Sequence, residues 1–115
     1  MKLNTTARGN ANSLISSGKI KDSSSWNPPS TEAENTFIKN NGIAKFGRWH
    51  LGVSPEADPK TKAYWHFIYT SDFKTVDYSG LRAVITRAAQ AGYTEIENTA
   101  RNLYERAKTK LKKNE

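Results

Sequence analysis

Apolar positions along the chain change period several times, and the changes divide it into elements. Ala7, Ala11, Leu14 and Ile15 recur at helical intervals and predict a short helix from Thr5 or Thr6 to Ser17. Gly18 follows in the place where helices end on a left-handed residue. Residues 21–30 break the pattern, because Pro28 and Pro29 bar a helix and Trp26 alone offers a large apolar group to anchor the connector. Thr31 and Glu34 form a capping box that opens a helix, and Asn40, Asn41 and Gly42 end it. Ile43, Phe46 and Trp49 then repeat every three residues, predicting a second helical piece over Ile43–Leu51 that stops at Gly52.

Residues 53–62 contain two prolines and read as a loop. From Ala63 to Thr70 the period falls to two, with Trp65, Phe67 and Tyr69 on one strand face and Tyr64, His66 and Ile68 on the other. A turn at Ser71 and Asp72 lets Phe73–Tyr78 pair back as a second strand, and a lone hairpin needs helices packed on it. Leu81, Val84, Ile85 and Ala88 predict a helix ending at Gly92. Thr94, with a capping box to Glu97, opens a last helix whose stripe is Ile96, Ala100, Leu103, Ala107 and Leu111, with Tyr104 on its flank.

The fold class this predicts is α+β. A β-hairpin packs its Trp65 face against a C-terminal antiparallel helix pair in a small single domain, with additional N-terminal helices. Residues 1–30 read as a flexible arm, a short helix and a Ser/Pro-rich connector, and residues 31–115 as the compact domain.

Composition narrows the chemistry. Only 36% of the 115 residues are hydrophobic, so three Trp, five Tyr and four Phe must supply much of the core. The absence of Cys rules out disulfides and thiolate metal sites, and two well-separated His make a structural zinc unexpected, so neither metal nor cofactor is expected. No apolar run approaches the roughly 18 residues of a membrane span. Met1 to Asn12 is polar and lacks a secretory h-region, which reads as a cytoplasmic protein away from membranes. The net charge of +7, from 18 Lys and Arg against 11 Asp and Glu, favours polyanions or acidic protein surfaces as partners.

That charge gathers on the last helix. Arg101, Lys108 and Lys112 line one flank of its apolar stripe, Arg106, Lys110 and Lys113 the other, against Glu105. These six are candidates for phosphate contacts, with Lys74 and Arg82 as additions. The helix dipole also favours bases at that end, opposite Glu95 and Glu97, and on charge pattern alone a solvated helix end is the better account of the same residues. A helix-turn-helix at Gly92 is disfavoured, because Asn98 and Arg101 stand where that motif needs apolar residues. The Trp65, Phe67 and Tyr69 row could stack unpaired bases, but a chain this short of aliphatics needs it as core. The catalytic candidates His50, His66, Asp58, Asp72 and Asp77 lack a local nucleophile partner, and no phosphate loop, nucleophile elbow or paired-His motif appears, so no enzyme is expected.

Residues 46–104 carry a resemblance. Its pieces are Phe46-Gly47-Arg48-Trp49-His50-Leu51-Gly52, Ala57-Asp58-Pro59-Lys60-Thr61-Lys62-Ala63-Tyr64, Asp72-Phe73-Lys74-Thr75-Val76, Gly80-Leu81-Arg82-Ala83, Arg87-Ala88-Ala89-Gln90 and Tyr93-Thr94-Glu95-Ile96-Glu97. Together with the Ser-Ser-Trp element ending at Trp26, they resemble a group of small bacterial, cyanobacterial and bacteriophage proteins of unassigned activity. The group shares a Trp-His/Phe-Leu-Gly element, a Thr-Lys element, an aromatic hairpin and an Arg-Ala-x-Gln helix pair. Its members carry Phe-Pro-Tyr-Gly and Val-His-Arg in the hairpin, where this chain has Phe67-Ile68-Tyr69-Thr70 and Val76-Asp77-Tyr78. The resemblance implies one compact domain and a phage or mobile-element setting.

The expected function is that of a non-enzymatic basic binding protein contacting nucleic acid through its C-terminal helix. The alternative is an interaction or inhibitor module docking on an acidic surface of a host or virion protein.

Overall fold

The computed structural model describes the backbone over residues 1–113 and side chains over residues 1–112. Near its start, one side chain settles three neighbours. Asn4 follows strand β1 (Lys2–Leu3), and its Oδ1 accepts the Ala7 amide to cap helix α1 (Thr5–Ser16). Its Nδ2 donates to the carbonyls of Gly47, at 3.0 Å, and His50, at 2.9 Å. β1 thereby lies antiparallel against strand β3 (His50–Val53), with Lys2 opposite Val53 and Leu3 opposite Gly52. Strand β4 (Trp65–Ile68) pairs antiparallel with the other side of β3, giving the order β1-β3-β4.

α1 ends as its sequence predicts, at a left-handed Gly18 with φ of 75°. A second small sheet follows, in which strand β2 (Ile20–Lys21) pairs parallel with strand β5 (Val76–Asp77). Helix α2 (Thr31–Asn41) lies on the surface without a fully buried residue, and the short helix α3 (Ile43–Gly47) follows it. Helices α4 (Tyr78–Ala91) and α5 (Thr94–Lys113) are joined through Gly92, again left-handed, and pack together as predicted.

One core joins these layers. α1 contributes Ala7, Ala11 and Ile15, the strands Leu51, Phe67 and Val76, α4 Leu81, Val84 and Ala88, and α5 Ile96, Ala100, Leu103 and Ala107. The division into a flexible arm and connector over 1–30 and a domain over 31–115 therefore does not describe the packing. β1 is a strand of the main sheet, and the buried face of α1 is part of the same core. A radius of gyration of 13.3 Å is that of one compact domain of this length.

Four local expectations change. The helical piece over Ile43–Leu51 stops at Gly47, and His50–Val53 becomes the central strand, because pairing on both edges outweighs a weak three-residue repeat. The hairpin of 63–70 with 73–78 does not form. Asp77 caps α4 by accepting the Gly80 amide at 3.0 Å, which starts the helix at Tyr78 and leaves only Val76–Asp77 extended. β4 takes its antiparallel partner from 50–53 instead. Neither capping box forms, because each helix starts one residue earlier. Ser30, not Thr31, accepts the Ala33 amide at 3.1 Å, and the Glu97 amide donates to the Tyr93 carbonyl, so α5 is entered before Thr94.

Of the aromatic row, Phe67 and Tyr69 are core while Trp65 is half-buried outside it, so the row is split. Phe67 adopts a left-handed φ of 63°, which swings its ring toward Gly52 and Tyr93, at the foot of the helix pair. Trp65 instead lies across Gly47, and Tyr69 meets Trp49 at 5.6 Å between centroids. Trp26 anchors the connector as expected, with its ring over Gly80 of α4.

That last contact reverses a familiar sign. Ala is favoured over Gly inside a helix by about 1 kcal/mol, yet a Cβ on Gly80 would stand 2.5 Å from the Trp26 ring. Gly80→Ala is expected to lower stability by about 1–3 kcal/mol, as overpacking does. In a Trp26→Ala background it should instead raise stability by about 0.5–1 kcal/mol. Urea midpoints of the four proteins measure both signs.

Candidate nucleic-acid interface

The stripe from Ile96 to Ala107 is buried against α1, α4 and the sheet, so α5 meets solvent along its two flanks and its back. On the flank toward α4, Arg101 pairs with Glu97 one turn earlier, at 2.8 Å, while Lys108 and Lys112 are exposed. Across the groove from them, Arg82 of α4 donates to the Tyr104 hydroxyl at 2.9 Å, with its guanidinium 5.8 Å from the ring centroid. Tyr104 stacks on Tyr78 at 4.5 Å and 11° between planes. A hydrogen bond from Tyr78, and then the Arg82 guanidinium, hold the Tyr104 hydroxyl below the usual phenol range. Burial, and then the bond to Tyr104, push Tyr78 up to about 12. On this flank Arg101 and Arg82 thus have partners, while Lys108 and Lys112 have no carboxylate partner among the described residues.

On the flank toward α1 the arrangement differs. Arg106 donates Nη2 to the Ser16 hydroxyl at 3.0 Å and Nη1 to the Asn12 side-chain carbonyl. Both partners are neutral. Lys110 lies half-buried with its stem toward Gly18, and Arg8 stands exposed on α1. Two open hollows of about 480 Å³ each meet at Arg106, one reaching Arg8 and the other Lys110. The sequence reading missed Arg8, Asn12 and Ser16. Their signal was present: they recur every four residues, each one place after the buried Ala7, Ala11 and Ile15.

Of the remaining candidates, Lys74 lines a separate groove between α2 and the 70–75 loop, floored by Phe37 and Phe73 stacked at 4.3 Å. The Lys113 side chain lies outside the described residues. Among the described residues there are two ion pairs, Arg101–Glu97 and Lys62–Glu34, so Arg101 is the one interface candidate matched by a carboxylate.

The carboxylates and imidazoles singled out by sequence have structural partners. Asp77 is buried as the α4 cap and also accepts from the Ser23 and Ser79 hydroxyls. Burial disfavours the Asp72 charge, but the Thr75 and Lys74 amides and the Thr75 and Thr70 hydroxyls outweigh it and hold the carboxyl below its usual range. Asp58 accepts the Lys60 amide at 2.9 Å in its loop. The fold brings His66 to Ser54, with Nε2 2.8 Å from the hydroxyl, but the same nitrogen lies 2.9 Å from the Ala63 carbonyl. A carbonyl can only accept, so Nε2 carries the hydrogen and does not serve as a base toward Ser54.

His50 is buried, and its Nδ1 donates to the Phe46 carbonyl at 2.9 Å. Burial lowers its pKa from 6.5 to about 4, against the Phe46 bond and with help from His66. Because the unfolded chain takes up the proton first, stability is full above the unfolded value of 6.5 and falls as pH drops from there to about 4. The loss expected from this group is about 3 kcal/mol. Urea midpoints between pH 7 and 4 should show it, with a flatter profile in His50→Gln; equal slopes in the two proteins would remove His50 as the cause.

No family model matches the chain, and no curated protein or solved structure matches it either.

Proposed function

We propose that this chain is a non-enzymatic, basic binding protein that contacts the phosphate backbone of nucleic acid through α5. One observation carries the reading: between Arg101 and Lys112 the helix holds five cations to one carboxylate, and among the described residues only Arg101 of the five has a carboxylate partner. Charges left unmatched on a folded surface attract a polyanion and gain from the counterions that binding releases. The helix keeps its apolar stripe in the core and presents Lys and Arg on its flanks, which suits backbone contact without base readout. The donor role of His66 toward Ala63, and the capping role of Asp77, favour a binding protein over a hydrolase. The phage or mobile-element setting belongs to the same proposal and is carried by the resemblance of residues 46–104.

Anisotropy titrations with labelled single-stranded and duplex oligonucleotides test it. About four phosphate contacts predict an affinity loss on the order of 100-fold between roughly 50 and 200 mM salt, alike for unrelated sequences. No binding at low salt, or a flat salt response, overturns the reading. Capture of one acidic protein that survives nuclease treatment would favour docking on a protein surface in its place.

A further inference from the structure

The cations of α5 face two ways, and the two directions are not equivalent. We infer that the phosphate backbone is held in the seam between α1 and α5, with Arg106 as a pre-oriented fork between Arg8 and Lys110. The outer flank toward α4 is left to packing and solubility. This deepens the nucleic-acid reading and rests on it.

The difference lies in how each guanidinium is held. Arg101 is neutralised by Glu97 at 2.8 Å, and Arg82 is tethered at one point only, through Nη2 to the Tyr104 hydroxyl, so the plane of its fork is not fixed by a second bond. A phosphate approaching Arg101 must share it with the Glu97 carboxylate, and one approaching Arg82 meets a fork held by a single bond. Arg106 is held by a side-chain amide oxygen and a hydroxyl, which fix the plane of the guanidinium without cancelling its charge. A guanidinium has five donors, and two of them are used here, so donors remain for an oxyanion. Holding the fork in place beforehand reduces the side-chain entropy lost on binding. The flanking hollows are open, and a cation stands beyond each, Arg8 past one and Lys110 past the other. A row of three charges along a groove matches a phosphodiester strand better than it matches one isolated anion. Glu105 borders both hollows and also the groove toward α4, so among the described residues it is the one acidic group shared by the two sides.

Charge placement can be separated from total charge with two matched pairs of substitutions in the full chain. Arg8→Ala with Lys110→Ala removes two charges from the seam and leaves the Arg106 contacts intact. Lys108→Ala with Lys112→Ala removes two from the outer flank. With a labelled mixed-sequence single-stranded oligonucleotide at about 50 mM salt, the seam pair is expected to weaken binding at least tenfold and to flatten the salt slope by about two. The outer pair should weaken binding by no more than about threefold, the effect of net charge alone. Arg106→Lys keeps the charge but loses the fork, and Asn12→Ala with Ser16→Ala keeps the fork but frees it; each is expected to lower affinity about three- to tenfold.

If the two charge pairs weaken binding equally, or the outer pair more, the seam assignment is wrong while nucleic-acid binding stands. If the parent chain shows no salt-dependent binding at all, the reading beneath it fails as well. If Asn12→Ala with Ser16→Ala lowers the melting temperature but leaves affinity unchanged well below melting, those residues only brace the helices and the pre-oriented fork is disproved.

Discussion

A phenol hydroxyl cannot be buried without partners, and the way Tyr69 finds its own sets the position of α1. Its ring is fully buried, and burial pushes its titration above the usual phenol range against the Asn10 bond that lowers it. The hydroxyl donates to the Arg48 carbonyl at 2.7 Å and accepts from the Asn10 amide at 2.9 Å. Asn10 lies on α1, Arg48 ends α3, and Tyr69 leaves β4, so one group joins three segments far apart in sequence. Asn4, six residues earlier at the helix cap, also bridges segments, through the Gly47 and His50 carbonyls. Such contacts contribute about 1 kcal/mol each when made, but leaving a buried partner empty costs about 1–3 kcal/mol, so they act as constraints on geometry more than as sources of stability.

The position of α1 matters because α1 is the far wall of the basic seam. With Ala7, Ala11 and Ile15 turned into the core, Arg8, Asn12 and Ser16 fall at its edge, facing Arg106 and Lys110. The charge on α5 would exist on any helix with this sequence. Its division into an outer flank, where Glu97 matches Arg101, and an inner seam, where neutral groups hold Arg106, exists only because α1 and α4 pack on opposite sides of it. The same packing explains the economy of the core, where aromatics and alanines fill what few aliphatics leave open. Trp65 over Gly47 and Trp26 over Gly80 are close approaches that a Cβ would forbid.

Much of the fold was legible. The helix stripes of α1, α4 and α5, the glycines that close α1 and α4, and the strand character of 65–68 all follow from period and turn chemistry. What failed was partner choice. A strand pattern states that a segment is extended but not with whom it pairs, so β4 was given to 73–78 when its neighbour is His50–Val53. Capping boxes failed by one residue for a related reason: Ser30 and Thr31 are both competent caps, and the entry angle of the chain selects between them. The six cations of the last helix were visible as a charge run, whereas Arg8, Asn12 and Ser16 were visible only as polar residues in a helix with no known neighbour.

The amino-acid sequence by itself determined the helices α1, α2, α4 and α5, which residues are apolar enough to be core, and how much positive charge α5 carries, because these depend on neighbours a few residues away. The tertiary structure alone decided the central strand, the pairing of residues 20–21 with 76–77, and the split of the α5 cations between the flank toward α4 and the seam with α1. Those depend on contacts across as many as 94 residues, where hydrogen-bond satisfaction and close packing, not local preference, select one arrangement.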